Sequence, residues 1–239
     1  MHRAARMPGP EAFDFDLPPE QIAQQPAARR GDARLLVFGG PRSEPAWHHS
    51  HARELPRWLP EGALVVVNDS RVVPARLFLS SEAGRRFELL VCDPRPGLGV
   101  GAGFRAWVRG AKHLREGLRL GHGDFGCVYL GPDPIDPRAR RFEVVQGELL
   151  PTLASAGEVP LPPYIRREAG PDAHDAERYQ TLYAAHPGSV AAPTAGLHWE
   201  PEVLACLDLV RITLHVGPGT FLPMEAADVS QHRVGAEEA

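Results

Sequence analysis

Apolar positions along this chain come in short runs divided by Gly/Pro turns, a pattern that predicts strands more often than helices. RLLVF at Arg34–Phe38 reads as a strand ending in the turn GGP. In HARELPRWL (His51–Leu59) the apolar residues Leu55, Trp58 and Leu59 fall at i, i+3 and i+4, which predicts a short helix. ALVVV at Ala63–Val67 is a continuous, β-branched run and predicts a strand buried on both faces. RFELLV (Arg86–Val91), FRAWV (Phe104–Val108), FGCVYL (Phe125–Leu130) and RFEVV (Arg141–Val145) are short strands separated by loops such as DPRPGLGVGAG. Their even spacing predicts a small barrel or sandwich. Helical patterns then return. GELLPTLASAG aligns Leu149, Leu150, Leu153 and Ala154 on one face, tolerates Pro151 in its first turn and stops at Gly157 as a C′ glycine. Asp175 is placed as the N-cap of DAERYQTLYAA, Pro201 as the first helical residue of PEVLACL, and LVRITLHV as the strand after it. The expected fold is therefore a mixed α/β main domain over residues 13–73 and 146–239. A small β-barrel domain is inserted at 74–145, and a disordered leader covers 1–12.

Composition narrows the class. With 239 residues, 43% hydrophobic and 23% charged, the chain has ample material for a core. No apolar run is long enough to span a bilayer, and MHRAARMPGPEAF lacks the apolar stretch of a secretory signal, so cytoplasmic localisation without membrane partners is expected. A net charge of −4 argues against a general nucleic-acid coat, although a local basic surface remains open because 25 of the 26 basic residues are arginine. Cys92, Cys127 and Cys206 are odd in number and far apart, which suits reduced, packed thiols rather than a disulfide framework. His48, His49 and His51 cluster in HHSH, but no carboxylate or thiol completes a fixed geometry, and no metal is expected.

Four further stretches carry more than pattern: NDSRVVPARL (Asn68–Leu77), VPLPPYI (Val159–Ile165), ERYQTLYAAHPGSVAAPTAGLHW (Glu177–Trp199) and TLHVGPGTFLP (Thr213–Pro223). In this order, and with FDFDLPPEQIAQQP at the start, the chain resembles the S-adenosylmethionine:tRNA ribosyltransferase-isomerase family of queuosine biosynthesis. The resemblance implies an α/β domain with an inserted β-barrel. It also implies that S-adenosylmethionine (AdoMet) is consumed as a ribosyl donor, with no metal. The ribosyl moiety would pass to 7-aminomethyl-7-deazaguanine at the tRNA wobble position, giving epoxyqueuosine and releasing adenine and methionine. The partner would be the tRNA anticodon arm carrying that base.

Chemistry of this kind asks for a base near neutral pKa, because the sulfonium acidifies the adjacent 5′ protons, and for proton donation to the departing purine. Histidine can do either. His198 and His215 stand in the two most distinctive motifs and are the candidate catalytic residues. Ala192, Pro193, Thr194, Ala195 and Gly196 form a small-residue wall against which a ligand can lie close to backbone, and the helix start at Pro201 would favour the methionine carboxylate. Gly217, Gly219 and Thr220 in GPGT shape a tight turn with positive φ after His215. Asn68 and Asp69 could bind ribose or adenine, and Arg71 and Arg76 a phosphate or carboxylate. Tyr164, Arg166 and Arg167 suit an unpaired anticodon base beside a phosphate.

The resemblance also implies a further C-terminal segment, with GTTSxR-like and TNFHLPxSTL-like motifs, that this sequence does not contain. Where the family carries an HxMHxE-like signature the chain reads HRVGAE (His232–Glu237), with Gly235 at the second histidine. The main domain is thus expected to be incomplete at its C-terminus and to expose part of LVRITLHV, with a second chain as one possible source of the remainder. A non-catalytic tRNA- or nucleotide-binding remnant, and an unrelated hydrolase using Ser189 or Thr194 with His198, are the competing classes.

Overall fold

Residues 9–39, 47–168 and 170–223 are described in the computed structural model. In chain order the strands begin with β1 (Arg34–Phe38), β2 (Trp47–His51), β3 (Leu64–Asn68), β4 (Ser70–Val72), β5 (Arg76–Ser81) and β6 (Arg86–Val91). They continue with β7 (Gly103–Arg109), β8 (Arg119–His122), β9 (Phe125–Pro132) and β10 (Ala139–Gln146). The helices α1 (Leu149–Ala156) and α2 (Ala173–Arg178) follow, then β11 (His186–Ser189), α3 (Pro201–Leu204) and β12 (Asp208–Ile212).

The strands β5 to β10 pair antiparallel in the cycle β10-β7-β6-β5-β8-β9, with β9 returning to β10. Alternation by twos dictates what this ring encloses. Leu77 and Leu79, Phe87, Leu89 and Val91, Phe104 and Ala106, and Cys127 and Tyr129 all point inward and are buried, while their neighbours face out. Leu149 and Leu153 of α1 join that core, and so does Val190, which ties the small-residue run to the ring. Each such side chain contributes about 1.5–3 kcal/mol relative to exposure, so the hydrophobic stability is concentrated here.

The remaining strands form pairs. β1 and β2 are antiparallel, with Phe38 opposite Trp47, whose rings touch at 4.4 Å. β3 lies parallel to β12, and β4 parallel to β11. ALVVV is therefore not buried on both faces. Leu64 and Val66 are 63% and 57% exposed, and Val210 and Ile212 of β12 are exposed beside them, because no layer among the described residues covers a two-stranded sheet.

The short helix expected at His51–Leu59 is a 3-10 helix over Ala52–Trp58, with Pro56 removing an N–H that α-helical bonding would need. Two local expectations are corrected. Asp172, not Asp175, caps α2. Asp175 completes a capping box from the third helical position, taking the Asp172 N–H at 3.2 Å while its own N–H donates to Asp172 Oδ1 at 2.8 Å. Gly157 ends α1 with extended backbone (φ −80°) rather than in the left-handed region, and a Cβ there would lie 2.0 Å from the Pro74 carbonyl oxygen. Of the leader, residues 1–8 lie outside the described residues, and Pro10–Phe13 is a 3-10 turn. His232–Glu237 also lies outside them.

Candidate active site

NDS, at the junction of β3 and β4, is the knot on which the later motifs hang. β12 stops pairing at Ile212, and from there side chains replace the backbone ladder. Asn68 Nδ2 donates to the Leu214 carbonyl at 2.8 Å, and Asn68 Oδ1 accepts from Leu214 N at 3.1 Å and Ser70 N at 3.0 Å. Buried Asp69 accepts from Thr213 Oγ1 at 2.7 Å, and its other carboxylate oxygen lies 3.8 Å from His186 Nε2. Ser189 and Ser70, both fully buried, share a hydrogen bond of 2.8 Å, and Val216 N donates to Ser189 Oγ at 2.9 Å. That Ser189 hydroxyl is spent within the core, which removes it from the nucleophile role weighed for a hydrolase.

His215 follows on this segment. Its ring covers Gly188 so closely that an added Cβ would sit 2.6 Å from Cε1, and its Nδ1 is buried without a hydrogen-bond partner. An unpaired buried imidazole nitrogen costs free energy unless it is used, which marks the ring as a candidate for chemistry. The GPGT residues Gly217, Gly219 and Thr220 make a 3-10 turn at Pro218–Phe221, and neither glycine has positive φ, contrary to the expected turn. Arg71 donates to the Ala184 carbonyl on the outer side of the same knot.

The small-residue run is a packed wall. Ala192 is buried, and Thr194–Gly196 form a 3-10 turn that leaves Thr194 and Ala195 exposed, with Pro193 partly buried before it. Gly196 is small because the Tyr183 hydroxyl occupies the place of its Cβ, 1.9 Å away. Arg30 NH1 donates to the Leu197 carbonyl at 2.7 Å and so pins the turn. His198 leaves the turn at an edge that reaches solvent. Partial burial pushes its pKa below the ordinary imidazole value, and the guanidiniums of Arg178 and Arg30 add to the shift. The shift favours the neutral imidazole, the form a base requires. α3 has four residues, Glu200 stands at its N-cap, and Arg29 holds that carboxylate at 3.2 Å, so this end already carries an acid.

Tyr164 and Arg166 follow the proline segment, which packs on Val72, Tyr179 and Ala192 through Val159 and Leu161. Gln24 fixes their loop, donating to the Tyr164 carbonyl at 3.0 Å and accepting from Arg166 N at 2.8 Å. Arg167 points inward and makes a bidentate pair with buried Asp175 at 2.7 and 2.8 Å, so its charge holds the loop to α2. Arg76 is separate. On β5 it donates to Glu88 Oε1 at 2.7 Å and Glu158 Oε2 at 3.1 Å, on the wall of a cavity that Trp107 and Phe221 also line.

The fold thus gathers Asn68, Asp69, Arg71, His215 and the GPGT turn around one strand end. Ala192–His198 joins it through Val190 and Ala191, whose N–H groups donate to the Val216 carbonyl at 2.8 and 3.3 Å. Arg76 and the Tyr164–Arg167 loop belong to the neighbouring cavity. Sequence reasoning missed Glu88 and Trp107, which stand in ordinary strand patterns, and His186, which stands in the Pro/Gly-rich HPGS. Their roles depend on cross-strand register, which spacing along one chain does not reveal. Among the described residues, no group of three or more His, Cys, Asp or Glu side chains gathers in a metal-binding arrangement, and no helix is long and apolar enough to cross a membrane.

A profile described as "Queuosine biosynthesis protein" matches residues 10–239. A protein of Anaeromyxobacter dehalogenans (strain 2CP-1 / ATCC BAA-258), named S-adenosylmethionine:tRNA ribosyltransferase-isomerase, is 43% identical over 233 residues, covering 94% of this chain and 65% of that protein. A protein of the same name from Syntrophotalea carbinolica is 42% identical over 232 residues with the same coverage. The chain therefore spans just under two thirds of these relatives' length. A crystal structure of the S-adenosylmethionine tRNA ribosyltransferase of Thermotoga maritima is 26% identical and covers 86% of this chain and 58% of its own, at a TM-score of 0.31, too low to bear on the fold.

Proposed function

Because the chain belongs to the queuosine biosynthesis protein family, we propose that it carries the AdoMet- and tRNA-binding part of a ribosyltransferase-isomerase. The reaction moves the ribosyl moiety of AdoMet onto 7-aminomethyl-7-deazaguanine at the wobble position of tRNA, releases adenine and methionine, and leaves epoxyqueuosine. One observation carries this reading: PGSVAAPTAGLHW and TLHVGPGTF converge on the Asn68–Asp69 strand end and bring two histidines with them.

AdoMet lies as substrate against Ala192, Pro193, Thr194, Ala195 and Gly196 and the GPGT turn, its ribose within reach of Asn68 and Asp69. His198, shifted toward the neutral imidazole by partial burial and by Arg178 and Arg30, takes the 5′ proton acidified by the sulfonium. His215 assists the departing purine through its unpartnered ring nitrogen. Tyr164 and Arg166 meet the anticodon arm, while Arg167 anchors their loop. The ring of strands corresponds to the inserted β-barrel domain over residues 74–145, and the cytoplasm, where tRNA is modified, is the expected location.

The test is incubation with AdoMet and tRNA bearing the aminomethyl-deazaguanine, following free adenine. A second arm adds the part of a full-length relative that lies beyond the matched region, as a second chain. Adenine release in either arm that is abolished by His198→Ala supports the reading. AdoMet binding with no adenine in both arms identifies a binding remnant instead.

A further inference from the structure

The ribbon β1–β2 has no part in the site as assigned above, yet one of its faces is apolar, aromatic and open. Register sorts its side chains. Arg34, Leu36 and Phe38 alternate onto one face, and their partners across the ribbon, His51, His49 and Trp47, stand on the same face. The other face is covered. Buried Ser50 donates to Glu54 Oε2 at 2.7 Å and accepts from Trp58 Nε1 at 3.2 Å, and the His48 ring lies 5.1 Å from that of Trp58. On the open face Leu36, Phe38 and Trp47 are 52%, 60% and 61% exposed. The Phe38 and Trp47 rings meet at 4.4 Å and 44°, so each braces the other while both keep solvent-facing surface.

The root of this ribbon is fastened beside His198. One short segment, from Gln24 to Arg34, makes the connection. Gln24 holds the Tyr164–Arg166 loop, and the Ala27 and Ala28 carbonyls accept from Arg178 at 2.8 and 3.2 Å. Arg30 donates to the Leu197 carbonyl, one residue before His198. β1 begins four residues later, and the Ala52 N–H closes the root by donating to the Ala33 carbonyl at 2.9 Å. A Cβ added at Gly31 would lie 2.5 Å from Glu200 Oε2 and 2.9 Å from Arg53 Cβ, which seats the root tightly against the start of α3. Along this path His198 lies between the Tyr164 loop and the ribbon.

Charge selects the partner. Residues 29–58 hold six arginines against three acids, a net +3 in a chain whose net charge is −4. A second copy of this chain seated on the ribbon would oppose like charges, whereas a polyanion is attracted. Exposed rings beside an arginine suit unpaired bases, because any base can stack on a π-face while its phosphate meets a guanidinium. A base presented to chemistry leaves its stack, so its neighbours in the loop lose a stacking partner that a protein ring can replace. The open face runs about 14 Å from Arg34 to Phe38, long enough for more than one nucleotide.

We propose that the open face of β1–β2 is a stacking platform for unpaired bases of the tRNA anticodon loop beside the wobble position, with Phe38, Trp47 and His49 under the bases and Arg34 on a phosphate. The inference rests on the ribosyltransferase reading for the identity of the RNA, and it leaves the wobble base itself at the AdoMet wall.

Binding, not turnover, tests it. An anticodon stem-loop RNA and a blunt RNA duplex of equal length are titrated by fluorescence anisotropy at several salt concentrations, and AdoMet by calorimetry. Wild-type protein is expected to prefer the stem-loop. Phe38→Ala/Trp47→Ala should weaken stem-loop binding about tenfold or more without changing its salt slope, while Phe38→Tyr/Trp47→Tyr keeps most of the affinity. Arg34→Gln should lower the slope of log affinity against log salt by about one. AdoMet affinity and the urea midpoint should stay at wild-type values throughout. Should the double alanine variant lower that midpoint, Trp47→Ala alone and Arg34→Gln decide. Wild-type stem-loop affinity in the alanine variants overturns the proposal, and so does a wild-type protein that binds duplex as tightly as stem-loop. If the alanine variants instead lose affinity for the part of a full-length relative beyond the matched region, with RNA binding untouched, the platform is refuted and the face belongs to a protein contact. Adenine release with unchanged RNA affinity in the variants leaves the ribosyltransferase reading without the platform. The expected binding pattern with no adenine release under any condition leaves the platform without that reading.

Discussion

Gly196 and Tyr183 compete for one volume, and the chain resolves the competition with a hydrogen atom. The Cβ of an alanine at 196 would lie 1.9 Å from the Tyr183 hydroxyl and 2.9 Å from its Cζ. Gly196→Ala should therefore cost about 1–3 kcal/mol as overpacking, seen as a lower urea midpoint with unchanged slope. Tyr183→Phe in the same chain should restore part of that loss. A single Gly196→Ala variant as stable as wild type would show that the turn gives way freely. His198, two residues on, makes an electrostatic prediction. Its folded pKa lies below the ordinary 6.5, so the unfolded chain binds more protons around that value and stability falls as pH drops through it, levelling below the folded pKa. An NMR titration of the imidazole should give a midpoint below 6.5. Arg178→Gln should raise it without restoring it fully, because burial, the larger cause, remains, and Arg178→Lys should leave it in place.

Elements here are held by a few buried polar links as much as by apolar faces. Arg167 and Asp175 couple the proline segment to α2 with side chains 15% and 6% exposed. Removing one partner of such a pair leaves the other charge without its bidentate partner, so Asp175→Asn is expected to lower the urea midpoint. The hydrogen bond from Arg167 holds the Asp175 carboxyl below its ordinary pKa, and its contribution is present above the ordinary carboxylate value and lost on acidification below it. Wild type should thus lose stability between neutral pH and the acid range more steeply than Asp175→Asn, in chemical denaturation at a series of pH values. The elements also show what a sequence can disclose. β6 coincides with RFELLV because a strand-length apolar run opened by the polar–apolar alternation of Arg86 to Leu89 marks a strand. β4 and β11 carry polar and Pro/Gly-rich SRV and HPGS, so they escape such a reading and exist only through each other's pairing. The strand-end residues Asn68 and Asp69 and both histidines were legible from their motifs. The row Arg76–Leu90–Trp107 was not, since three strands had to be brought into register before those side chains became neighbours.

At the scale of the whole molecule, stability and candidate chemistry are segregated. The ring encloses the large buried side chains, whereas the β3–β12 pair leaves Leu64, Val66, Val210 and Ile212 in solvent. The strand-end knot sits at the end of that weakly covered pair, and its bonds join residues far apart in sequence: Asn68 to Leu214 across 146 positions and Ser70 to Ser189 across 119. The ring with its loops, Arg76–Gln146, makes up about half of the chain between Asn68 and Leu214. Closing so long a segment costs conformational entropy that grows with the logarithm of its free length, about 0.6 kcal/mol per doubling. Folding the ring first shortens the free chain and brings Val73 and Val190 together in one core before the knot is tied. The order of events follows: local antiparallel pairing first, long-range parallel pairing second. In pulsed hydrogen exchange the amides of Leu79 and Leu89 should gain protection before those of Ser70 and Leu214, and simultaneous protection would refute a sequential order. Leu89→Ala, which hollows the ring by about 2–5 kcal/mol, should delay protection at Leu214 although the two residues share no hydrogen bond. The histidine-bearing segment would then be the last part of the described chain to mature, and its assembly rate would be governed by a ring of strands whose core holds none of the candidate site residues.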